Sequence, residues 1–422
     1  TLAILLFALT YVLLLVLPKY RAYVALGAAL VFVALGILPL AGVPGAIDWN
    51  VLLMIAGTMG TVFLFIESRM PALLADVLID RMPNVKWAII ALALFAGIIS
   101  AFIDNVATVL MVAPVAMTIS KKLGISPVNS IIAISIASNL QGAATLVGDT
   151  TSILLGGEAG MNFTDFFVYK GQPGLFWVVQ AGALVSGLIL LVLFRKENRT
   201  IHLEEKARVD DYFPTALLLG TILLLILASF VPAGSKPALT NGLICAGMFL
   251  VGLLREVLVR KRLDVARQAL RDIDYFTLLL LASLFVVIGG ISEAGVVDEI
   301  AKGIQSLGRG NVFVIYTILV WISVLLSAFI DNIPYVATML PVATSLSHAM
   351  GIDPTLIYFG LLTGATLGGN LTPIGASANI AGLGILRKEG HEVSVGKFMA
   401  ISVPFTLAAV GTGYLLVWLI WA

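Results

Sequence analysis

Apolar residues in this chain come in unbroken runs of 17–25 positions, joined by short polar stretches and without sustained two-residue alternation. Runs of that length predict membrane-crossing helices, whereas a barrel would show short alternating segments. Helices are expected near 2–18, 22–44, 50–68, 174–195, 213–231, 238–259, 274–292 and 398–421. Four further runs, 86–120, 128–156, 311–347 and 355–385, carry polar residues, Gly or Pro well inside them. Segments 70–82 and 294–307 read as short amphipathic pieces along the interface. The polar link 196–212 divides the chain in two.

The two parts repeat each other. Ile47-Asp-Trp-Asn-Val-Leu-Leu-Met matches Ile273-Asp-Tyr-Phe-Thr-Leu-Leu-Leu at an offset of 226, and Glu67 falls on Glu293. An offset of 227 then sets Ser100-Ala-Phe-Ile-Asp-Asn105 on Ser327-Ala-Phe-Ile-Asp-Asn332, and Pro114 on Pro341. It also sets Gly124-Ile-Ser-Pro127 on Gly351-Ile-Asp-Pro354 and Asn139–Ser152 on Thr366–Asn379.

Loop charge selects the topology. Let 86–120 and 311–347 be re-entrant hairpins, each entering and leaving on one side, while 128–156 and 355–385 cross once. Each half then crosses five times and the second is inverted. On this reading 21 of the 25 Lys and Arg share one side, and only Lys170, Lys236, Lys302 and Arg309 lie on the other. The rich side is expected to be cytoplasmic. A single crossing at 86–120 would erase the bias, and two full crossings need about 40 residues. The expected fold is therefore an all-α membrane protein of two inverted repeats, each with about five transmembrane helices, one re-entrant hairpin and a discontinuous helix. The expected bounds are 1–200 and 213–422, with a cytoplasmic linker at 201–212. The location expected is a prokaryotic inner membrane, with both termini outside.

Composition agrees. The chain is 60% hydrophobic and 12% charged, with mean hydropathy +1.06, against about 25% charged in a soluble domain. A net charge of +1 gives no basis for a nucleic-acid partner. The single Cys245 rules out a disulfide framework, and His202, His348 and His391 are scattered in loops. There is no Walker A motif, no His-Glu-x-x-His and no Gly-x-Ser-x-Gly elbow. No enzyme and no cofactor are expected. Leu2–Leu17 lacks a basic leader and a cleavage site, so it reads as a transmembrane helix. The chain opens at Thr1 without Met, and a few native residues are expected before it.

The chemistry sits in the four interrupted runs. A carboxylate at bilayer depth costs on the order of 2.5–3.5 kcal/mol even on the lenient insertion scale, and here one recurs at matching places, Asp104-Asn105 and Asp331-Asn332. Each of these could also be a structural N-cap. Ser138–Ser152, with Asn139, Gln141, Thr145, Asp149, Thr150, Thr151 and Ser152, reads as an unwound segment, as does Gly368–Asn379 with Asn370, Thr372, Ser377 and Asn379. Paired breaks near the midplane of inverted halves point to a secondary transporter's site. Half-helix N-termini would face a solute. Carboxylates and Asn side chains would hold Na⁺, with Asp104, Asn105, Asp331 and Asn332 the candidate ligands, or relay H⁺. Asp149 stands where the second half has Ala376; it reads as a proton carrier or cation ligand, or as an N-cap on Thr151 or Ser152. Glu67 and Glu293 close equivalent helices at an interface.

At Phe329-Ile-Asp-Asn-Ile-Pro-Tyr-Val-Ala-Thr-Met-Leu-Pro341 and Gly368-Gly-Asn…Ile-Gly-Ala-Ser-Ala-Asn379 the chain resembles the P-protein (pink-eyed dilution) type permeases. These belong to the arsenite permease and sodium/proton antiporter branch of the ion transporter superfamily; the divalent anion/sodium symporters are more distant. The resemblance implies a scaffold, a transport domain with two hairpins, elevator-like motion and a homodimer. It places two pseudo-symmetric sites on Asp104, Asn105, Asn139, Asp149, Asp331, Asn332, Asn370, Thr372, Ser377 and Asn379. The chain departs from its relatives at Gly148-Asp-Thr-Thr-Ser152, where they read Gly-Asp-Pro-Pro-Asn, and Gln141 replaces a common Gly. The expected function is Na⁺- or H⁺-coupled secondary transport of a small anion or a neutral oxyacid such as arsenite; the alternative is a Na⁺/H⁺ antiporter.

Overall fold

The structure, a computed structural model, describes residues 2–200 and 207–422. Residues 201–206 of the expected linker, with His202 and Lys206, lie outside the described residues, as does Thr1. The first half holds α1 (Leu2–Val16), α2 (Arg21–Ala34), α3 (Val43–Ala46), α4 (Trp49–Glu67), α5 (Met70–Asp80), α6 (Val85–Ser100), α7 (Asn105–Leu123), α8 (Val128–Gly142), α9 (Thr150–Ala159) and α10 (Leu175–Leu193). The second holds α11 (Phe213–Ser229), α12 (Thr240–Leu258), α13 (Leu263–Arg271), α14 (Tyr275–Glu293), α15 (Val296–Leu307), α16 (Val312–Ser327), α17 (Asn332–Met350), α18 (Thr355–Leu362), α19 (Ser377–Lys388) and α20 (Val395–Trp421). From α4 and α14 onward, each helix has a partner at the offset read from the sequence.

The start and stop signals recur in register, which is why the elements do. Asp48 and Asp274 cap α4 and α14, accepting from Val51 N at 3.0 Å and Thr277 N at 2.9 Å. Asn84 and Asn311 cap α6 and α16, accepting from Trp87 N at 3.2 Å and Val314 N at 3.1 Å. A side-chain acceptor there satisfies one of the orphan N–H groups of the first turn.

One expected helix is much shorter than its apolar run. The run 22–44 stops at Ala34, where Gly36 turns left-handed at φ +70 and the amide of Ile37 closes back on Phe32 O; this is a Schellman-type stop. The run 2–18 ends at Val16, and α1 and α2 meet at a bend of 111°. Among the described residues six helices are individually long and apolar enough to cross a membrane, and up to eight spans result if two bent pairs each count as one. The runs 128–156 and 355–385 are broken as expected: α8 then α9, and α18, a π-helical turn at Thr363–Leu367, then α19.

The halves interlock. Helix α2 packs on α14, and α12 on α4. The second contact is so close that a Cβ on Gly57 would sit 2.3 Å from the Cys245 carbonyl carbon. These helices, with α1 and α11, make a frame. Around α8 gather α6, α7, α10, α19 and α20, and α16–α18 join them to form a core; it meets the frame through α5 on α7, α15 on α17, α9 on α4 and α17 on α14.

Contacts between distant segments respect the two faces assigned from loop charge. Lys121 pairs with Glu389 and Arg262 with Glu67 on the Lys/Arg-rich face, while Lys170 pairs with Asp353 on the other. Burial alone would raise the Asp353 carboxyl, but Lys170 and Thr355 hold it below its usual range. Its contribution is thus complete at neutral pH and lost as pH falls through the depressed folded pKa. Both side chains are about half exposed, so Asp353→Asn should cost under about 1 kcal/mol in a chemical melt at pH 7.

Candidate functional site

The two hairpins end in the middle of the core. Asp104 caps α7, accepting from Ala107 N at 3.0 Å, and Asp331 caps α17, accepting from Ile333 N at 3.1 Å. Both therefore do the local work of an N-cap. Each tip is then tied to the break beside it by the same bond twice over: Thr145 Oγ1 donates to Ala101 O, and Thr372 Oγ1 to Ala328 O. The breaks also cross. Asn139 Nδ2 donates to Thr366 O at 2.9 Å, Asn370 Nδ2 to Ile136 O at 2.8 Å, and the Thr151 and Thr366 hydroxyls lie 2.9 Å apart. Thr145→Val or Thr372→Val removes the bond to the tip and the longer one the hydroxyl accepts from Val147 N or Ile374 N at 3.4 Å, and leaves a carbonyl without its donor, which should cost about 1–3 kcal/mol in a thermal melt.

Between the tips and the Lys/Arg-rich face lies a cavity of about 220 Å³. Its wall takes Asp104, Asn105, Asp149, Thr150, Asn332 and Ser377 from the core, Met59, Phe63 and Ile66 from α4, and Asp272, Asp274 and Thr277 at the start of α14. No Lys or Arg lines it. Asp149 makes no side-chain capping bond to α9; its carboxylate instead accepts from Thr151 Oγ1 at 3.0 Å and faces Asn332 Nδ2 at 3.5 Å. Asn105 Nδ2 donates to Asn139 Oδ1 at 3.1 Å, so the cavity-facing amide is oriented from behind.

The remaining sequence candidates stand behind that wall. Asn139, Gln141, Thr145, Thr151, Ser152, Asn370, Thr372 and Asn379 are buried and do not line the cavity. Gln141 accepts from Gln180 Nε2 at 2.9 Å, Ser152 donates to Gly142 O at 3.4 Å, and Asn379 to Thr372 O at 3.2 Å. Asp331 departs from its mate Asp104. It is paired with Arg21 of α2, accepts from Ser377 Oγ at 3.1 Å and is absent from the cavity wall. Glu67 sits in the exposed pair with Arg262 at 2.8 Å.

Sequence reasoning missed Asp272, Asp274 and Arg21. The Ile-Asp pair shared by residues 47–48 and 273–274 carried the signal for Asp274. Nothing local singled out Arg21.

On the opposite face a wider cavity of about 990 Å³ is lined by Ala46, Asp48 and Val51, by Phe285, Ile288, Gly289 and Ser292, and by Ala337. These are the repeat mates of Asp272, Asp274 and Thr277, of Met59, Val62, Phe63 and Ile66, and of Leu110, all in the first cavity. The two cavities are one construction made twice, facing opposite ways. Only the first reaches both hairpin tips.

Comparisons with known proteins agree with this architecture. The family described as citrate transporter (CitMHS) matches residues 11–364. An uncharacterized transporter of Mycobacterium tuberculosis is 32% identical over 380 residues, covering 88% of this chain and 86% of its own. The P protein of Homo sapiens is 26% identical over 458 positions, covering 88% of this chain and 54% of that protein. Among solved structures, the YdaH transporter of Alcanivorax borkumensis superposes with a TM-score of 0.57 at 17% identity, covering 89% and 86% of the two chains; at that identity the likeness is one of fold. The chain belongs to the CitMHS citrate transporter family and is a multi-pass secondary transporter of the membrane.

Proposed function

We propose that the chain moves a small polar solute together with Na⁺ or H⁺, by alternating access between the two repeat-related cavities. The observation that carries this reading is the pair of cavities itself. Inverted repeats that hold unequal conformations generate the second state by exchanging them, and here the exchange would close one cavity and extend the other to the tips. The separation of a frame from a core supports an elevator-like displacement, and homodimeric assembly belongs to the same reading. With the Lys/Arg-rich face cytoplasmic, the cavity at the tips opens inward.

The wall chemistry narrows the cargo. Four carboxylates and no base would repel a bare polyanion, since unit charges 4 Å apart interact by about 4 kcal/mol at an effective dielectric of 20. An anion such as the family's citrate would therefore travel with cations or protons that offset its charge, and a neutral oxyacid such as arsenite would need none. The same carboxylates favour a second reading, a Na⁺/H⁺ antiporter.

Flux in proteoliposomes separates these. Citrate, phosphate, sulfate and arsenite are offered with and without imposed Na⁺ and pH gradients. Uptake of one solute that follows a cation gradient supports the carrier. Lumenal pH change driven by Na⁺ alone supports the antiporter. Absence of any gradient-driven flux or pH change contradicts both.

A further inference from the structure

The two hairpin tips are built alike but are not charged alike. Asp104 lies on the cavity wall, and no Lys or Arg pairs with it among the described residues. Asp331, its mate 227 positions on, carries the Arg21 guanidinium on one carboxylate oxygen and the Ser377 hydroxyl on the same oxygen. Arg21 and Asp331 keep only 19% and 12% of their side-chain surface exposed. Arg21 arrives from the first turn of α2, a frame helix, and no repeat mate of it reaches Asp104: α12 opens on Thr240 and Asn241. A carboxylate at a hairpin tip near the midplane needs a cation. One tip has an open space for it. The other is met by a cation that the chain itself carries, the Arg21 side chain.

We infer that Arg21 is a tethered cation filling the second of two pseudo-symmetric cation sites, so that the chain binds one mobile cation, at Asp104, where two tips would otherwise bind two. The inference rests on the proposed reading of the tips as cation sites. It makes Arg21 a determinant of coupling stoichiometry, although it is 310 residues from the carboxylate it neutralises.

Equilibrium binding of ²²Na⁺ to the purified full chain tests this with Arg21→Gln and with the double variant Arg21→Gln/Asp331→Asn. The expected counts are one Na⁺ per chain for the native protein, two for Arg21→Gln and one for the double variant. The single variant buries an unpaired carboxylate, so its folding is followed alongside, and added Na⁺ should raise its melting temperature more than that of the native protein. A count of one in both native protein and Arg21→Gln, with no extra Na⁺ stabilisation of the variant, overturns the inference and leaves the Asp104 site standing. A native count of two also overturns it. A native count of zero with one in Arg21→Gln keeps Arg21 as the tethered cation at Asp331 and overturns Na⁺ binding at Asp104. Zero in both removes both.

Discussion

Asp149→Asn will sharply reduce cation-driven transport at sub-saturating cation while the protein stays folded. The substitution keeps the side chain's shape and one oxygen to accept from Thr151, so the bonds that position it change little. What it removes is the only ionisable group that either midplane break contributes to the cavity, because the repeat mate is Ala376. Losing one charged ligand is worth about 1.5–3 kcal/mol, or roughly a 10- to 150-fold weaker cation affinity at 1.4 kcal/mol per decade. Flux against a fixed cation gradient reads this, with a melting curve as the control. Asn370→Ala should do the reverse. Its amide faces Ile136 O behind the wall, so it should lower the melting temperature and leave the apparent cation affinity within about twofold of native.

The second large effect is on stability. A Cβ at Gly148 would stand 2.5 Å from Gly142 O and 2.7 Å from Ala101 O; at Gly375 it would stand 2.5 Å from Gly369 O and 2.7 Å from Ser327 O. These neighbours are backbone carbonyls at helix ends, which no rotamer change can move aside. Gly148→Ala and Gly375→Ala must therefore push tip and break apart, at a cost of about 1–3 kcal/mol or more each. Gly411→Ala, inside α20 with open space around its Cβ, should instead be neutral or stabilising by up to about 1 kcal/mol. Thermal unfolding in detergent of the three variants checks the contrast. Equal melting temperatures would mean that the breaks are not packed as described.

Why the tips were legible and the frame was not follows from what each depends on. Asp104-Asn105 and Asp331-Asn332 stand out because a carboxylate deep in an apolar run is costly, and because the motif recurs at one offset. The breaks announce themselves through Gly, Pro, Asn and Thr where a helix would resist them. The hairpin topology followed from loop charge and run length, and contacts such as Lys170–Asp353 join segments assigned to one face. Asp274 carried the same repeat signal as Asp48, but its position on the cavity depends on α14 packing against a helix of the other half, which no local pattern reports. Arg21 is the extreme case. It looks like one more residue of a basic loop, and only the packing of α2 on α14 brings it to Asp331. Symmetry in the sequence suggested two equal sites; one guanidinium from the frame makes them unequal. The run that ended early, at Ala34, shows a further limit, since hydropathy does not register where the backbone turns.

On the proposed reading, the carboxylate-lined cavity at the hairpin tips is where the coupling ion is taken from the Lys/Arg-rich side. The most direct test is thiol labelling of Ala107→Cys, on the wall beside Asp104, against Ser292→Cys, an exposed position on the opposite cavity; the native Cys245 is buried and gives little background. A membrane-impermeant maleimide is expected to reach residue 107 only from the Lys/Arg-rich side, and Na⁺ or low pH to slow this several-fold while leaving labelling at residue 292 unprotected. Labelling at 107 from the other side alone, or at a rate indifferent to Na⁺, pH and every solute that the protein transports, would contradict that reading.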